Sequence, residues 1–154
     1  MADLVTKVDE TLQLNGKQID SLNTKTIAVT TASKQIITVP ASTDTTVALF
    51  KSTVGVADVA LDVELVQYIR VTNLDGSNSV NLYLPIDAGE DDSAADEAVT
   101  ILLEAGKSFV MGAPSDGLGT STDGAGPETN LHNLESIVID SGSNEVTVEV
   151  FIAG

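Results

Sequence analysis

Few side chains in this sequence could do chemistry, and their spacing suits none of the familiar sites. The one histidine, His132, lies in Asn130-Leu-His-Asn-Leu134, with no second histidine to share a metal ion and no serine elbow beside it. A Ser-His-Asp triad gathers members from distant positions, so spacing alone cannot speak against one, but nothing here points to one. His132 reads as a polar residue between a loop and a strand. Carboxylates are plentiful: Asp87–Glu97 holds six acidic side chains and no base, and Asp116-Gly117 and Asp123-Gly124 read as turns. Calcium, a hard cation, takes oxygen ligands of this kind. Neither the alternating Asp and closing Glu of an EF-hand nor a Gly-Gly-x-Gly-x-Asp repeat is present, so the acidic run reads as a solvated loop. Carboxylate pairs also serve glycoside hydrolysis, but with no Trp and only Tyr68 and Tyr83 as tyrosines a sugar-stacking cleft is hard to build. Gly106-Lys-Ser108 carries the end of a phosphate loop without its upstream glycine, while Gly117-Leu-Gly119 and Gly124-Ala-Gly126 lack its lysine. No catalytic, cofactor or metal residue is assigned, and a non-enzymatic protein is expected.

Composition narrows the partners. Seven Lys and Arg stand against 23 Asp and Glu, a formal net charge of −16 that repels phosphate backbones and anionic lipid headgroups. Neither nucleic acid nor a membrane is an expected partner. The sequence contains no cysteine, which removes disulfides, thiolate nucleophiles and thiolate metal sites together. The start, Met1-Ala-Asp-Leu-Val-Thr-Lys7, lacks the basic, then apolar pattern of a secretion signal, and no run approaches the ~20 apolar residues of a membrane span. A soluble protein is expected.

The elements that would position any site are strands. At 154 residues one domain suffices, and with aromatics at 3% its core must come from Val, Leu, Ile and Ala, a composition that favours sheet. Two stretches share a plan of apolar strand, polar Gly-Ser-Asn turn and strictly alternating return strand. They are Tyr68 to Leu84 and Ser136 to Val150. We read both as hairpins. A period of two sends Val80, Leu82 and Leu84 to one face, and likewise Val146, Val148, Val150 and Ile152. Both faces need cover, and packing them against each other as two layers is the simplest arrangement.

Elsewhere Thr26–Thr30, Lys34–Val39 and Thr45–Lys51 read as strands. Val59, Leu61, Val63 and Leu65 alternate with acidic residues as in a half-buried strand, with a bulge or turn near Val66. Pro85 is expected to end its strand. Val99–Met111 reads as two strands folded about Glu104-Ala-Gly-Lys107, with Gly106 supplying a positive φ. Gly112–Glu128, with five glycines and two prolines, reads as a long surface loop. In residues 1–23, Leu4, Val8 and Leu12 fit a helical stripe, whereas Val8, Leu12 and Leu14 with the Asn15-Gly16 turn fit an extended arm with a short hairpin; we favour the arm. The expectation is therefore all-β: an N-terminal arm, 1–23, and a single-domain β-sandwich or jelly roll of eight to ten strands, 24–154.

The series Tyr68–Asn73, Val80–Leu84, Leu102–Met111, Ser136–Asp140 and Glu145–Ile152 resembles small β-sandwich structural proteins of tailed-bacteriophage virions, of the capsid decoration or cement type. The resemblance covers about residues 60–154. It implies a homo-oligomer, a trimer by preference, bound to the major capsid protein on the outer capsid surface of a virion and made in the host cytoplasm. The family pattern is a scaffold and carries over no site residue. The alternative is a tail or surface module recognising a host glycan or receptor through the Gly112–Glu128 loop.

Overall fold

The computed structural model describes residues 1–55, 58–87, 97–121, 126–127 and 129–154. These contain twelve strands and no helix. In chain order they are β1 Ala2–Leu14, β2 Lys17–Val29, β3 Ala32–Val39, β4 Asp44–Lys51, β5 Leu61–Asp62 and β6 Tyr68–Asn73, then β7 Val80–Asp87, β8 Glu97–Leu103, β9 Ser108–Met111, β10 Asn133–Leu134, β11 Ser136–Asp140 and β12 Val146–Ala153.

Two sheets face each other. One has the order β3-β12-β6-β9; the other runs β8-β7-β11-β4-β5, with β10 also bonded to β7. Short segments join β3 to β4, β6 to β7, β8 to β9 and β11 to β12, so strands at matching positions in the two sheets are consecutive in the chain. Eight strands wound in this way form a jelly roll.

This corrects the reading of Tyr68–Leu84 and Ser136–Val150 as hairpins. β6 bonds to β12 and β9, whereas β7 bonds to β11, β8 and β10; β11 and β12 are divided between the sheets in the same way. Val99–Met111 also crosses, with β8 in one sheet and β9 in the other. Each polar turn is an arch spanning the ~10 Å between stacked sheets. The inward faces are as the alternation predicts. Val80, Leu82, Leu84, Val146, Val148, Val150 and Ile152 meet in one core with Ile69, Val71, Ile137 and Ile139.

Two further expectations change, and the stretch read as a loop after Gly112 is a loop, with ties to the body, in the part described. Residues 59–65 are not a strand. Only Leu61–Asp62 pairs, with β4, and the Leu65 and Val66 N–H groups bond back to the Asp62 carbonyl, leaving Val59 92% exposed while Val63 is buried. The Asp62 carboxylate accepts the Glu64 N–H, an Asx-type turn that outcompetes the extended form. Pro85 does not end β7. Its carbonyl accepts the Glu135 N–H while the Glu135 carbonyl accepts the Phe50 N–H, so no acceptor waits for the proton that proline lacks. The loop after Gly112 is tied down where it is described: Leu118 bridges to His132 and packs on the core, and the Pro114 carbonyl accepts the Leu134 N–H.

The N-terminal hairpin is long, not short. β1 and β2 pair without a break from Ala2↔Val29 to Leu14↔Lys17, closed by Asn15 and Gly16, both at positive φ. That is the turn chemistry an Asn-Gly pair supplies. The line drawn after residue 23 falls inside β2. At the root Ile27 and Val29 pack with Leu4 against Tyr68, Phe151 and Ala153. The Gly154 carbonyl accepts N–H bonds from Thr30 and Thr31, both at 2.7 Å, which pins the junction of arm and sandwich.

Candidate functional site

His132 exchanges backbone hydrogen bonds with Leu118 and accepts the Gly117 N–H, so its place is that of a strand-like tie. Gly117 leaves no room for a side chain, since a Cβ would stand 2.7 Å from the Ala113 carbonyl oxygen. Gly106 has φ +71° in the arch closed by the Lys107 N–H to Glu104 carbonyl bond; Gly106 and Lys107 end the β-turn Glu104–Lys107, and Ser108 begins β9. Among the described residues no three His, Cys, Asp or Glu side chains group to hold a metal. Most of the acidic run (88–96), and Asp123 to Ala125 and Glu128 of the glycine-rich loop, lie outside the described residues.

The structure assembles three polar features. The first is Asn73, which continues the inward phase of Ile69 and Val71 and is fully buried. Its Nδ2 donates to the carbonyls of Asn78 (2.8 Å) and Leu103 (3.1 Å), and its Oδ1 accepts the Asp75 N–H (3.0 Å). Its backbone bonds to Gly106 and Lys107, and the next residue, Leu74, donates to Thr147. One side chain thus stitches the β6–β7 arch to the end of β8, and the neighbouring backbone reaches β12. On that arch the Asp75 carboxyl, accepting N–H bonds from Asn78 and Ser77, is held below its usual range. The remaining arches are joined by Ser141 Oγ donating to the Pro40 carbonyl and by Ser42 N–H donating to Gly142.

The second feature lies on the outer face of the β3-β12-β6-β9 sheet. Glu149 bridges Lys34 (2.8 Å) and Arg70 (2.5 Å), contacts that hold its carboxyl below the usual range, Lys34 first, against an opposing effect of partial burial. Beside Arg70 a groove of about 510 Å³ opens between β1 and the sheet, lined by Leu4, Val8, Tyr68, Val110 and Phe151 among others. Tyr68 meets Phe151 edge-on, with ring centroids 6.0 Å apart.

The third lies on the outer face of the other sheet. A cleft of about 470 Å³ is lined by Asp44, Asn81, Tyr83, Thr100, Val138 and Asp140. Asp140 stands opposite Asp44 on β4 and accepts a hydrogen bond from Asn81 on β7. The cleft offers acceptors and one aromatic ring, and no nucleophile paired with a base. Sequence reasoning missed all three features. The available signals were a polar residue in a core phase, Asn73, and charges in outward phases, Lys34, Arg70 and Glu149, whose meeting depends on which strands are neighbours.

No family model matches the chain, and neither does any curated protein. Among solved structures it is similar to a chain of the Bacillus endospore appendages, described as a novel family of disulfide-linked pili, at 14% identity and a TM-score of 0.41, over 80% of this chain and 83% of that one. The present sequence has no cysteine with which to form such links.

Proposed function

We propose that this chain is a non-enzymatic structural protein that decorates a bacteriophage capsid and stabilises it by bridging capsid subunits. The observation that carries the reading is the arm. The β1–β2 ribbon has thirteen residues per strand and is rooted on the jelly roll at Leu4, Ile27 and Val29, while along it Val5, Val8, Leu12, Leu14, Ile19 and Leu22 are all exposed. A two-stranded ribbon is marginally stable alone in water, so an arm of this length fits a protein that works by contact with others. The resemblance of the strand series to virion proteins is what supports a capsid as the seat of that work. Its acidic surface suits the outer face, away from packaged DNA.

Such a protein acts by mass action: binding the assembled shell and not its free parts shifts the equilibrium towards the shell, and repeated weak contacts add through avidity. Particles made without the chain should assemble, release their contents at lower temperature, and recover when it is added back. Unchanged thermal stability with lost attachment to host cells would replace this reading with the receptor-binding one. The Tyr83 cleft, with its carboxylates and ring, is the observation favouring that second reading.

A further inference from the structure

Along the β1–β2 hairpin one face is covered at the root and bare at the tip. Cross-strand pairing puts Leu4 and Ile27 on the same face as Leu12, Leu14 and Ile19. The root pair packs against Tyr68, Phe151 and Ala153, while the tip trio is exposed. At ~3.4 Å per residue Leu14 lies roughly 34 Å along the strand from Leu4, so the tip cannot fold back onto its own root without breaking its ladder. Whatever covers the tip is another chain.

The surface that accepts this face at the root has empty space beside it: the groove of about 510 Å³ walled by Tyr68, Arg70, Val110, Phe151 and β1. The charges match as well. Residues 8–23 carry Asp9, Glu10 and Asp20 against Lys17, a net −2. Around the groove stand Lys7, Arg70 and, joined to Arg70 by the Glu149 carboxylate, Lys34: three cations against one carboxylate, a local net of +2. Lys7 touches Asp9 of its own strand at 3.0 Å, an exposed pair readily exchanged for another carboxylate. Residues 30–154 carry nineteen carboxylates and four cations, a net −15, so two bodies repel while the hairpin, at −1 over residues 1–29, is the part able to approach a neighbour. We propose that the hairpin tip of one copy seats in the groove of the next, with Leu12, Leu14 and Ile19 entering beside Val110 and Phe151. Tip and groove are different surfaces, so copies joined in this way either exchange hairpins as a closed two-fold pair or continue into a larger ring or a chain.

The absence of cysteine makes the test clean. A Leu12→Cys chain mixed with a Val110→Cys chain under mild oxidation should form the mixed disulfide several-fold faster than with a Leu102→Cys chain, whose site is similarly exposed on the opposite sheet (61% against 55%). In sedimentation the mass should rise with concentration. Leu12→Asp with Ile19→Asp should lose that rise while keeping the circular dichroism of the parent, since neither side chain packs on the body. A single-chain mass at every concentration, equal cross-linking to positions 102 and 110, or association that survives the double substitution would each overturn the proposal. If the double variant unfolds, the cross-linking comparison decides. All readouts use the isolated full chain, so the proposal stands or fails independently of capsid binding.

Discussion

Replacing Asn73 tests how the jelly roll is closed. Asn73→Ala removes three side-chain hydrogen bonds at a fully buried position, to Asn78, Leu103 and Asp75. At about 1 kcal/mol net for each, with a further penalty for the Leu103 carbonyl left without that donor inside the sandwich, the expected loss is about 3 to 4 kcal/mol. Urea unfolding followed by far-UV circular dichroism is the suitable assay, since there is no Trp to report. For an m-value of about 2 kcal/mol/M the midpoint should fall by roughly 1.5 to 2 M. Asn73→Asp should be worse at neutral pH, because a carboxylate of the same shape would face two carbonyl oxygens it cannot donate to, and should recover in part when protonated. Asn78→Ala, which loses a side-chain contact to Asp75 at the surface of the arch, serves as control and should cost only a few tenths of a kcal/mol. If Asn73→Ala lies within about 0.5 kcal/mol of that control, the arches are held by the strands alone and the reasoning fails.

Val148→Asp should abolish folding, because it puts an unpaired charge among residues with no exposure, whereas Thr147→Asp on the outward phase should cost far less; equal stabilities would mean an inverted register. The Glu149 carboxyl titrates lower folded than unfolded, so its stabilisation is present above the usual carboxylate range near pH 4 and is lost as pH falls through the folded value. The stability difference between the parent and Glu149→Gln should therefore hold from about pH 7 to 5 and shrink below about 4; a difference that grows in acid would refute the sign. Gly154→Ala would set a Cβ 2.1 Å from the Leu65 carbonyl oxygen, backbone that cannot swing aside, and should lower stability by about 1–3 kcal/mol in thermal melts, together with faster amide exchange at Thr30 and Thr31.

Local chemistry determined much of this protein. Alternation in Val80–Leu84 and Val146–Ile152 told which side chains face inward, because a pleated strand has only two sides and one of each is apolar here. Asn15-Gly16 marked a tight turn, since Asn and Gly tolerate the left-handed backbone such a turn demands. Bonding between strands was decided only by the tertiary structure. A Gly-Ser-Asn turn reads alike whether it returns a strand beside its predecessor or lifts it into the facing sheet, and what separates the outcomes is the partner waiting there, with β12 and β9 for β6, and β11 and β8 for β7. The same holds for the bond from Asn73 to Leu103, 30 positions away at the end of β8, and for Glu149, whose cations lie 115 and 79 positions away. Nearest-neighbour chemistry cannot specify contacts across such separations; they exist because closing the sandwich sets β3, β12 and β6 side by side.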